Sequence, residues 1–227
     1  MGEAVDRPVI WGQSHRYQLG PALGERTFWA SDETGRAWAV EIGRAELLHA
    51  REELLRQLPQ GTLPRMREIG DMPGGRLAYV VSEWLAGYTL GNLLHEGRRM
   101  APMEIRRLGY DIAQQIELAL QHGAEVVSVR PADLLYATAE RRWRLLSPGE
   151  WRHYEGGPID LTWLAVAMLG AGGSVPGEEP PWAQEDQKLW QLLQETMRNK
   201  WQVRQWSRRL RPLHGIMRAL GGGMQQP

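Results

Sequence analysis

The stretch 102–122 constrains the fold more than any other part of this chain. Ile105, Leu108, Ile112, Ile116 and Leu120 recur there at steps of three and four, which lines one face of an α-helix with apolar side chains. Pro102 suits the first turn, where its missing N–H costs nothing, and Gly123 suits the stop. Such a stripe has to be covered, so other elements must pack on it. With 227 residues, the chain can do this as one domain or as two small lobes.

Upstream the pattern is that of strands and turns. Tyr17 to Ala30 scatters apolar residues around Gly20, Pro21 and Gly24, Asp32 to Gly35 is a turn signal, and Arg36 to Ile42 is a short strand. The pair predicts a hairpin. Ala45 to Leu58 has helical character through Leu47, Leu48, Leu54, Leu55 and Leu58, ended by Pro59, Gly61 and Pro64. Met66 to Ile69 and Leu77 to Trp84 are strand candidates across the turn Met72 to Gly75. From Thr89 onward the pattern is helical. Ile159 to Leu169 is apolar on every face, as in a helix surrounded by protein. The last helices fall at about Gln184 to Met197 and Val203 to Leu213, and the glycine-rich tail from Gly221 reads as frayed. The expectation is an α+β chain: a small antiparallel sheet with one helix, then a mainly helical part, changing near residue 85.

Composition narrows the function classes. Charged residues are 24% and the hydrophobic set 42%, as in globular proteins. The 27 basic and 27 acidic residues balance, so global charge points to no polyanionic partner. Without cysteine there is no disulfide, thiolate nucleophile or zinc–thiolate site, which fits a cytoplasmic setting. The start MGEAVDRPVIWGQ has no signal-peptide pattern, and Asp6 stands where a myristoylation motif wants Ser or Thr. The most apolar run, Ile159 to Ala171, is shorter than the ~20 residues a membrane span takes. His15, His49, His95, His122, His153 and His214 show no paired metal-ligand spacing, so no metal is expected. Ser128 and Ser147 lie in no activating motif. Most of the eleven tryptophans are expected in the core, and any exposed cluster of them would mark an interface.

Several segments in order resemble the Hanks-type Ser/Thr protein kinases of bacteria. YQLGPALGERTFWASDETGRAWAVEIGR is similar to their first three strands, and LAYVVSEWLAGYTLGNLLHEG, with Ser82 and Glu83, to the strand, hinge and following helix. VVSVRPADLLY resembles the catalytic loop, with Pro131 matching its proline; WRLLSPGEW stands where the magnesium-binding DFG segment belongs. PIDLTWLAVAMLG resembles the helix whose aspartate, here Asp160, anchors the catalytic loop. The resemblance covers 17–170 and implies a bilobal kinase-like domain over 1–227, with an N-lobe at 15–85, a C-lobe at 86–220 and a flexible tail at 221–227.

It also implies that the chemistry is gone. Phosphoryl transfer needs positioned phosphates and neutralised charge. The phosphate loop keeps Gly24, but Arg26 and Trp29 replace its later glycines. The strand lysine is Glu41, and the family's spacing puts its helix partner at Arg51, a charge-reversed pair. Ser128 replaces the catalytic aspartate, Arg130 the loop lysine, Asp133 the metal-binding asparagine and Ser147 the aspartate of DFG. Between Gly149 and Asp160 only ten residues stand where the activation segment would be. The expectation is a pseudokinase with no catalytic residues and no cofactor, acting through an unknown protein partner. A nucleotide-binding switch is one alternative. Another is a binder of anionic membrane or nucleic acid through Arg198, Lys200, Arg204, Arg208, Arg209, Arg211 and Arg218. The favoured reading of that basic stretch is a helix docked by Val203, Trp206, Leu210 and Leu213, with Arg204 matching the family's late C-lobe arginine.

Overall fold

The computed structural model describes residues 8–23, 26–146 and 150–211, apart from the side chains of Leu54 and Leu55. Gly24, Ser147, Gly149, Leu213, Arg218 and the tail 221–227 therefore lie outside the described residues. The chain divides into two compact units, Met1–Ala86 and Gly87–Pro227.

In the first unit six antiparallel strands form one sheet: β1 (Val9–Trp11), β2 (Arg16–Ala22), β3 (Thr27–Ser31), β4 (Ala37–Arg44), β5 (Met66–Asp71) and β6 (Leu77–Glu83). Their order is β1-β2-β3-β4-β6-β5, because helix α1 (Ala45–Arg56) carries the chain past β4 before the β5–β6 hairpin returns. The run Tyr17 to Ala30 is thus two strands, and β1 lies ahead of the first strand read from the sequence. Both sheet faces are apolar. Tyr17, Leu19, Ala30, Trp38, Val40, Tyr79 and Val81 form one cluster, while Leu48 of α1 packs with Ile69, Ala78 and Val80 on the other face. Of the expected leucine stripe, Leu48 is buried and Leu47 is exposed.

Asp32 fixes the β3–β4 turn. Its carboxylate accepts from Thr34 N, Thr34 Oγ1, Arg36 N and Trp38 Nε1 at 2.6–3.0 Å. Burial opposes its ionisation, but the hydrogen bonds from Thr34, Trp38 and Arg36 outweigh that and lower its pKa to about 2.

The second unit is built around α3 (Pro102–Gln121), whose Ile105, Leu108, Ile112 and Ile116 are fully buried; Leu120 is half-buried. Around it stand α2 (Leu90–His95), α4 (Thr162–Ala171), α5 (Gln187–Thr196) and α6 (Val203–Leu210). Five short strands also occur in this unit: β7 (Gly87–Thr89), β8 (Ala124–Ser128), β9 (Leu134–Ala137), β10 (Arg142–Leu145) and β11 (Glu150–His153). They form a β10-β9-β7 sheet and a β11-β8 pair. Strands of three to five residues are too short to display an alternation of their own.

Two further expectations change. α4 starts at Thr162 rather than Ile159, and Val166 on it is exposed, so it is not enclosed on every side. Trp38, Trp143, Trp182 and Trp206 are buried, but Trp11 is 73% exposed and the other tryptophans are half-buried. The size of the indole leaves an edge outside most small cores. No helix among the described residues is long and apolar enough to cross a membrane.

Candidate functional site

In the N-terminal unit the site is built on the sheet face that carries α1. Because α1 begins directly after β4, the helix folds back over that face, and Leu48 seats it. Arg51, three residues on, shares the helix side of Leu48 and meets Glu41 of β4. The contact is a fork: Arg51 Nη1 donates to Glu41 Oε1 at 3.1 Å and Nη2 to Oε2 at 2.6 Å. The side chains are only 15% and 23% exposed, so the pair is shielded and directional.

Trp29 lies opposite Ala39, and Thr27 opposite Glu41, on neighbouring strands. The phosphate-loop positions read from the sequence need correction here. Trp29 belongs to β3, not to a loop, and the β2–β3 connection spans only 23–26, closed by Leu23 N donating to Thr27 O at 2.8 Å. A Cβ added to Gly20 would come within 2.5 Å of Trp29 Cε3. The indole therefore lies on the Gly20 backbone, a closeness only glycine allows. Arg26 is exposed, and its carbonyl accepts from Ile42 N at 2.8 Å. Ser82 and Glu83 end β6, with Ser82 between Ala39 and Met66.

In the C-terminal unit, Val126, Val127 and Ser128 belong to β8, and β11 pairs with them: Ser128 faces Glu150 and Val126 faces Trp151, with a bulge between Glu150 and Trp151. Arg152 reinforces this pair by binding buried Glu125 at 2.6 Å and 2.9 Å. The chain then makes one 3-10 turn over Pro131–Asp133. Asp133 is buried, and its carboxylate accepts from Arg130 Nε at 3.0 Å and Nη2 at 3.4 Å. Those two expected site residues thus occupy each other.

Asp160 differs from expectation. It is exposed, and its carboxylate accepts from Thr162 N at 2.8 Å, two residues ahead. The carboxylate serves the start of α4, while the 126–128 backbone lies in the β8–β11 ladder.

A polar anchor between distant helices of this unit has no signal in the sequence. Arg106 of α3 forks onto Asp186, with Nη2 to Oδ1 at 2.6 Å, and its Nη1 donates to Arg209 O at 3.0 Å. Asp186 also caps α5, accepting from Leu189 N at 3.0 Å. Burial raises the Asp186 carboxyl, but Arg106 and the cap outweigh it and leave the pKa lowered. An aspartate three residues before an apolar helical position is a cap signal; nothing in the sequence links it to Arg106. The arginine expected in such a role, Arg204, is 73% exposed and only 3.9 Å from Glu117. α6 is docked by Val203, Trp206 and Leu210, and Trp206 Nε1 donates to Thr196 Oγ1 at 2.6 Å. Arg198, Lys200, Arg204, Arg208, Arg209 and Arg211 remain on the outside, where Arg209 pairs with Glu195.

No protein-family model matches the chain. Over 187 residues it is 26% identical to a probable serine/threonine-protein kinase of Streptomyces coelicolor, covering 75% of this chain and 28% of that protein. Over 138 residues it is 28% identical to the serine/threonine-protein kinase PknB of Mycolicibacterium smegmatis, covering 54% of this chain and 22% of that protein. This chain is kinase-like. It spans less than a third of the length of these curated kinases, and its mixed architecture, an antiparallel sheet with one helix followed by helices, is compatible with that likeness.

Proposed function

We propose that the chain is a degenerate, bilobal kinase-like module that no longer transfers phosphate and works in the cytoplasm as a protein-interaction scaffold or regulator. The observation that carries this reading is the Glu41–Arg51 fork. At the aligned strand position a kinase presents an ammonium to the nucleotide phosphates; a carboxylate there repels them, and Arg51 is already engaged. Two further observations support it. Asp133 is covered by Arg130, and the stretch aligned with the catalytic aspartate is locked in a paired strand. A serine at 128 cannot take a substrate proton without an activating base.

The test is incubation with γ-labelled ATP, Mg²⁺ and a generic protein substrate. No incorporation above buffer background is expected; turnover that disappears in Asp133→Ala would overturn the reading.

A second reading has one observation in its favour: the outer side of α6 and the residues before it leave Arg198, Lys200, Arg204, Arg208 and Arg211 exposed. Salt-sensitive binding to anionic vesicles or DNA, lost on neutralising these residues, would promote that reading.

A further inference from the structure

The C-terminal unit holds a recess whose lining includes none of the residues matched above to a kinase's catalytic positions. Its wall is a cluster of three rings: Tyr88 stacks on Tyr136 at 5.2 Å between centroids, and Trp143 meets the two edge-on at 6.3 and 5.6 Å. Leu93 and Met100 extend the apolar lining. The rim is cationic, carrying Arg98, Arg99 and Arg107. Glu104 also lines the recess, but its Oε2 accepts from Ala101 N at 2.9 Å, so it serves the start of α3.

The rim is held in place. Arg98 N donates to Leu93 O at 2.9 Å and Met100 N to Ala171 O at 2.8 Å, which pins the segment between α2 and α3. The Arg99 stem lies across Gly173, whose φ is +78°; a Cβ there would come within 2.6 Å of Arg99 Nε. Arg107 lies over the Tyr136 ring at 5.8 Å, 3.8 Å from Asp111. Among the described residues, Arg99 has no carboxylate partner, and Arg98 reaches Glu96 only at 4.0 Å. Two guanidinium groups are thus presented beside an apolar hollow with little local neutralisation. Pinning the backbone beneath them beforehand removes part of the ordering cost of binding.

We propose that this recess is a docking site for an acidic–apolar peptide segment of a protein partner, with carboxylates on Arg98 and Arg99 and an apolar side chain against Tyr88, Leu93 and Met100. The charge complementarity selects an anion, and guanidinium groups suit carboxylates. Nucleic acid fits less well, because stacked bases need open ring faces, whereas Tyr136 and Trp143 are buried and pack on each other and on Tyr88. The site goes beyond the loss of catalysis and stands independently of it.

The test uses a fluorescein-labelled peptide in which Glu alternates with Leu and Phe, with Gln-for-Glu and Lys-for-Glu versions and a labelled dT oligonucleotide as controls. Anisotropy should show saturable binding of the Glu peptide alone, weakening as salt rises. The double variant R98E/R99E should bind at least about tenfold more weakly while melting at an unchanged temperature, because both side chains are exposed. Y88A should weaken binding without changing its salt dependence. Absence of saturable binding, equal binding of the Gln peptide, affinity retained in R98E/R99E, or preference for the oligonucleotide would each overturn the proposal.

Discussion

The two units each hold a helix in place with an arginine forked onto a carboxylate, but the two clamps differ in reach. Glu41 and Arg51 are ten residues apart and join one helix to the strand before it. Arg106 and Asp186 are eighty residues apart, and Arg106 also holds the Arg209 carbonyl near the end of α6 while Asp186 caps α5. The short clamp is a local device within one strand–helix unit. The long one is a hub for three helices. Removing one partner from a shielded pair leaves the other uncompensated, so the hub should be the costlier to break.

The largest effect is therefore expected at Asp186. Asp186→Ala loses the fork and the cap and strands Arg106, and should cost about 3 kcal/mol in urea unfolding. A cost no larger than that of Glu41→Ala would break the comparison. Asp32 comes next, a carboxylate held by uncharged donors rather than by an arginine. Asp32→Ala should cost about 2 kcal/mol. Its folded pKa of about 2 lies below the ordinary 3.8, so its contribution is full above the ordinary value and is lost as pH falls through about 2. Acid melts of wild type and variant should converge in that window.

Glu41→Ala should cost about 1–2 kcal/mol. The exchange E41R/R51E should recover most of it, giving a coupling of about 1 kcal/mol or more in a double-mutant cycle. Additive effects would show that the fork contributes nothing beyond its separate side chains. His49 gives the smallest effect. Its imidazole meets Asp71 at 2.8 Å and Glu52 at 3.4 Å, and the hydrogen bond it donates to Asp71, then that to Glu52, raise its pKa. Its contribution is present below the ordinary imidazole value and is lost as pH rises through the raised one. At 42% exposure, solvent screening keeps it under about 0.5 kcal/mol. His49→Gln should therefore flatten a slight fall in stability near neutrality.

The same contrast explains what could be read in advance. α3 was legible because four buried isoleucine and leucine positions repeat over its length. The Glu41–Arg51 meeting was legible because it lies within one strand–helix unit whose spacing resembles a kinase. Arg106 and Asp186 gave no joint signal, since only the packing of α5 on the rest of the unit brings them together. The ring cluster was hidden for the same reason: Tyr88, Tyr136 and Trp143 come from three strands of three or four residues. Trp29 misled because a glycine-loop pattern was matched across residues that continue into a strand.

The central claim, that a carboxylate occupied by Arg51 stands where a kinase would bind phosphate, is tested most directly by isothermal titration of Mg²⁺-ATP into the protein, paired with a thermal melt at millimolar nucleotide. The account predicts no saturable heat and an unchanged melting temperature. A saturable isotherm with a matching rise in melting temperature, abolished by changes in the kinase-aligned positions such as Asp133→Ala, would contradict it.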